Sequence, residues 1–136
     1  MKTLTFLFIL LFTSISMANC PMEFVEVDLC GKLTWIDGPY LNKKSHFTVE
    51  FWAKGDENKT RIEPEFEIDI YSWMIMESGM SHGGPKITSK KTGVGIYEVK
   101  DARFFMGTMK GHWEIRVELM EKFEDISMAA HKVEFN

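Results

Sequence analysis

From Ser45 onward the chain returns repeatedly to one pattern, an apolar residue at every second position followed by a turn. Phe47, Val49 and Phe51 alternate with His46, Thr48, Glu50 and Trp52, and Phe66, Ile68 and Ile70 alternate with Glu65, Glu67 and Asp69. Later, Trp113, Ile115, Val117 and Leu119 alternate with Glu114, Arg116 and Glu118, and Val133 with Phe135 closes the chain. Successive side chains of an extended strand point to opposite faces, so this period marks strands that are buried on one side and solvated on the other. Weaker strand signals lie at 24–29, 33–36, 86–89 and 95–102, while 121–130 carries no decisive pattern.

Turn chemistry separates these runs at short intervals: Asp37-Gly38-Pro39, Lys54-Gly55-Asp56, Ser78-Gly79, Gly83-Gly84-Pro85, Thr92-Gly93, and Gly107 with Gly111. No stretch shows an apolar stripe at helical spacing. Many short strands with turns between them predict an all-β fold, an antiparallel β-sandwich of immunoglobulin-like type with seven to eight strands.

Length sets the scale. The 136 residues suit one domain, and Lys2, the apolar run at 4–12 and the small residues Ser16 and Ala18 have the form of a cleaved export signal over 1–18. The single domain then spans 19–136. The apolar run is too short for a comfortable bilayer span and nothing later approaches ~20 apolar residues, so no transmembrane segment is expected in the mature chain. The expected location is periplasmic or secreted. The net charge is −4 and becomes one unit more negative without Lys2, which argues against a nucleic-acid partner.

The two cysteines, Cys20 and Cys30, belong to a chain expected in an oxidising compartment, where thiols pair. A disulfide between them is the first reading. A lipidated Cys20 is the minor alternative, since Asn19 is bulky where lipoprotein processing prefers a small residue. A two-cysteine metal site is disfavoured because the spacing lacks the close Cys-x2-Cys of zinc sites.

The chemistry-bearing residues are methionine and histidine. Of ten methionines, Met74, Met76 and Met80 run into His82-Gly83-Gly84-Pro85, and Met106, Met109 and His112 sit three apart among Gly107 and Gly111. Thioether sulfur is soft, has no proton to lose and does not form disulfides, so it holds Cu(I) outside the cytoplasm without competition from H⁺. Imidazole adds a ligand that also accepts Cu(II). Met80, His82, Met106, Met109 and His112 therefore form a candidate copper set, while Met74 and Met76 read first as strand packing. His46 and His131 read as polar-face residues, and Glu63 to Asp69 as the solvated side of a strand. No nucleophile elbow, phosphate loop or paired-carboxylate motif is present, so no enzymatic activity is expected.

Two segments together resemble a known family. Met74-Ile75-Met76-Glu77-Ser78-Gly79-Met80-Ser81-His82-Gly83 resembles the Met-rich stretch ending in Met-x-His of the YtkA-like and FixH-like extracytoplasmic domains. Gly95-Ile96-Tyr97, followed by Met109-Lys110-Gly111-His112-Trp113, resembles the same family's closing Gly-x-Tyr and Met-x-Gly-x-Trp pattern. The match covers about residues 64–120. The resemblance implies an immunoglobulin-like sandwich associated with copper handling and with the maturation of copper-containing oxidases, with Met80, His82 and Met109 at the matching positions. FixH-like members usually carry a membrane anchor, whereas the apolar run here looks cleavable. Two functions follow as expectations: a copper carrier, buffer or metallochaperone, favouring Cu(I), that serves a copper-receiving periplasmic or membrane protein, or a metal-free interaction module using exposed Met and aromatic residues.

Overall fold

A computed structural model describes residues 19–108 and 110–135. The expected export signal at 1–18 lies outside the described residues, as does Met109. The strands are β1 (Met22–Phe24), β2 (Leu29–Asp37), β3 (Ser45–Ala53), β4 (Glu67–Met76), β5 (Ser81–Gly83), β6 (Ser89–Gly93), β7 (Ile96–Ala102), β8 (Gly111–Glu121) and β9 (Glu124–Lys132). One turn of 3-10 helix, Val25–Val27, joins β1 to β2.

Strands β1-β2-β3-β7-β6 form one sheet and β5-β4-β8-β9 the other, and their strand pairings are antiparallel. Taking β2, β3, β4, β5, β6, β7, β8 and β9 in turn as A, B, C, C′, D, E, F and G gives sheets A-B-E-D and C′-C-F-G, which is immunoglobulin connectivity. The expected sandwich is present, with nine strands among the described residues rather than seven or eight: the expected 24–29 strand gives way to the end of β1 and a turn of 3-10 helix before β2, β5 and β9 form where no strand was expected, and Val133 and Phe135 follow β9 outside any strand.

The apolar alternation builds the core as its period requires. Phe47, Val49 and Phe51 of β3 face Ile115, Val117 and Leu119 of β8, and all six are fully buried. Each such side chain stabilises the fold by roughly 1.5–3 kcal/mol relative to exposure. The Cys20–Cys30 disulfide is formed, with Sγ–Sγ 2.06 Å, and ties the chain ahead of β1 to β2. Among the described residues no helix is long and apolar enough to cross a membrane.

Two readings of polar residues are corrected. His131 does not lie on a polar face: it pairs with Ile115, faces inward and edges the Trp35 ring at 6.4 Å, and burial holds its pKa below the ordinary histidine value against the opposing pull of Glu134. Glu63 is not on a strand, since β4 begins at Glu67. Its half-buried carboxylate accepts hydrogen bonds from the Tyr97 hydroxyl and, at 2.9 Å, from the Gly95 N–H, and it pairs with Lys91 at 3.1 Å. Burial acts to raise the Glu63 pKa, but these donors outweigh it and hold the group below the usual range. In turn, burial and the Glu63 contact push the Tyr97 hydroxyl up to about 12.

Candidate functional site

The stretch expected to be a glycine-rich turn around His82 is an edge strand. β4 reverses through Glu77-Ser78-Gly79, where the Gly79 N–H bonds to the Met76 carbonyl at 3.0 Å and Met76 N–H to the Met80 carbonyl at 2.8 Å. Gly79 has φ +87°, a conformation that favours glycine in this type of three-residue hairpin loop. The returning strand β5 then pairs Ser81 with Ile75, His82 with Met74 and Gly83 with Trp73.

Register decides which side chains share a face. On the other flank of β4, Met74 pairs with Trp113 and Ile75 with His112. His82, Met74 and Trp113 therefore form one cross-strand row on the inner face, where Met74 and Trp113 are buried. The pleat adds Met76 and Met80, each two residues from this row, to the same face. Met74 is core packing, as expected for it; Met76 is half-buried against the core, and Met80 at the tip is 65% exposed.

His112 lies in the next row, on the outer face, where its Nε2 sits 3.3 Å from Glu114. The four-stranded sheet stands between the two imidazoles. Adjacency to Met109 in sequence could not reveal this, because a single residue of register separates the two faces.

Trp113 is where the two candidate segments meet. Its ring stacks edge-to-face with His82 at 6.2 Å and with Phe104 at 5.7 Å, and its indole N–H donates to the Phe105 carbonyl at 3.1 Å. The connection that carries Phe104, Phe105 and half-buried Met106 is tied to the β4–β5 hairpin by the Glu77 N–H to Lys110 carbonyl bond at 2.9 Å. Met106 thus belongs to the same end of the sandwich as Met80 and His82. Gly84 closes the floor: a Cβ there would lie 2.2 Å from Ser72 Oγ and 2.7 Å from the Trp113 ring, so only glycine lets the chain leave β5 this close to the core.

One hydrogen bond sets the chemistry of His82. Its Nδ1 lies 2.9 Å from the Gly83 carbonyl oxygen, which only accepts, so in the neutral ring this contact selects the Nδ1–H tautomer and leaves the lone pair on Nε2. This is the tautomer in which an imidazole ligates a metal through Nε2. Both cysteines are oxidised, and among the described residues no three of His, Cys, Asp and Glu gather as a metal-holding group. The donors at this end are thioethers and one imidazole, a soft set suited to Cu(I) rather than to zinc. Sequence reasoning missed Trp113 as the hub, whereas Met76, read as strand packing, does pack against the core while sharing the face of Met80 and His82.

Searches against known protein families, curated proteins and solved structures find no match to this chain.

Proposed function

We propose that the protein is an extracytoplasmic copper carrier or buffer that takes one Cu(I) ion as cargo at the rim formed by Met76, Met80 and His82, with Met106 from the facing connection. The observation that supports this reading most is the His82 imidazole, held as the Nδ1–H tautomer on the same strand face as two thioethers. The exposure of Met80 suits transfer, because a carrier needs a ligand that an incoming donor from a receiving protein can displace. The resemblance to YtkA-like and FixH-like domains belongs to the same proposal: Met80-x-His82 lies at β5, Gly111-x-Trp113 opens β8, and these two strands flank β4. His112 is outside the proposed set, since it faces away from the other donors.

A Cu(I) competition titration against a chromogenic chelator tests this. The wild type is expected to retain one equivalent, and M80L/H82A to bind at least about tenfold more weakly with an unchanged circular dichroism spectrum. His112→Gln is expected to match the wild type. Equal affinity in wild type and M80L/H82A would contradict the proposal.

A further inference from the structure

The outer face of the β5-β4-β8-β9 sheet has a self-complementary pattern that the metal reading does not use. Its rows, read from the pairing register, include Glu67–Met120–Asp125, Asp69–Glu118–Met128, Tyr71–Arg116–Ala130 and Gly83–Trp73–Glu114–Lys132, beyond which lie Ser81, Ile75 and His112. The first two rows hold four carboxylates and no cation, whereas the third and fourth hold Arg116 and Lys132 against Glu114 alone. Met128 stands 43% exposed one row from exposed Ala130 on the same strand.

We infer that two copies of this chain pair through this face, about a two-fold axis lying in the plane of contact, across the strands, between the Arg116 and Glu118 rows. That operation lays β4 on β4, β8 on β8 and β9 on β9, and brings each row against its opposite in the second copy. Arg116 meets Glu118 of the second copy, Lys132 meets Asp125, Tyr71 meets Asp69, and the Met128 side chain meets the small Ala130. Face-to-face sheets pack about 10 Å apart, a distance that such side chains span.

Two features of the single chain favour this occupant. Arg116 is already oriented, with its guanidinium over the Trp73 ring at 4.9 Å and its Nε on Glu114 at 3.0 Å, so little side-chain freedom is lost when a second carboxylate arrives. Glu118 has the Tyr71 hydroxyl beside it but no cationic partner among the described residues: burial raises its pKa, and Asp125 and Asp69 raise it against the lowering effect of Tyr71, the signature of crowded like charges that an incoming cation relieves. Three strands of about ten residues with the three-residue β5 at their edge cover roughly 500 Å² per copy, the size of weak and transient interfaces, so the pairing is expected to be reversible. The inner-face rim with Met80 and His82 stays free.

Sedimentation equilibrium from about 1 to about 200 μM tests the pairing. The wild type is expected to show a monomer–dimer equilibrium, R116E and E118R alone to weaken it at least about tenfold, and R116E/E118R together to restore it, because the exchanged charges meet again across the axis. Ala130→Arg, a surface change that leaves both charges in place, is expected to block dimers by bulk. Thermal melts check that each variant is folded. A wild type that is monomeric throughout, a dimer indifferent to the single reversals, or a double variant that stays monomeric would each overturn the inference.

Discussion

At the tip of the β8–β9 hairpin, Lys122 and Phe123 form a two-residue loop with φ values of 49° and 68°, and the Phe123 side chain is 95% exposed. Asn-Gly suits such a loop, because left-handed backbone costs a bulky side chain energy that glycine avoids. The double variant K122N/F123G is expected to stabilise the fold by about 1 kcal/mol, read as a rise in Tm of roughly 4 °C. A second test at this scale concerns His131. Its lowered pKa means that the unfolded chain binds more protons over the interval between the two values, so stability is full above the unfolded histidine pKa of 6.5 and declines as pH falls below it. Denaturant melts from pH 7.5 to 5 should show that decline, with a shallower slope in His131→Leu. The inward position of His131 was legible, since it is in phase with Val133; its polarity concealed a position that the period had already assigned.

Elements with a long apolar period, β3, β4 and β8, were legible because each strand's own residues report both its state and its buried face. β5 was not. Ser81-His82-Gly83 has no pattern of its own, and becomes a strand only because the Glu77-Ser78-Gly79 loop brings it back onto the edge of β4. The candidate site inherits this division: the two segments were visible as Met and His clusters, but the face each side chain takes depends on register, which moved His112 away from His82. The close seating of β5 yields a prediction. Gly84→Ala should destabilise the domain by about 1–3 kcal/mol, as expected for overpacking against Ser72 and Trp113, and should weaken Cu(I) binding by displacing His82. Ser72→Ala should cost little or be stabilising, because its buried hydroxyl has no hydrogen-bond partner to lose. Chemical denaturation of the two variants checks both.

The whole molecule separates stapling from ligand chemistry. The disulfide lies at the end of the sandwich where β2 begins and β3 finishes, whereas Phe104, Trp113 and the β4–β5 hairpin crowd the opposite end. Removing the bond in C20S/C30S should cost roughly 3 kcal/mol through the freed loop while leaving the Cu(I) affinity of the folded protein unchanged. The proposed cargo at one end, the covalent tie at the other and the proposed pairing face between them use separate residues, so each is expected to fail separately under mutation. The most direct test of the copper proposal is X-ray absorption on the Cu(I)-loaded wild type. The account predicts a first shell of at least two sulfur scatterers with one imidazole nitrogen, the nitrogen disappearing in His82→Ala but not in His112→Gln. A shell of nitrogen and oxygen without sulfur, or one unchanged by His82→Ala, would contradict it.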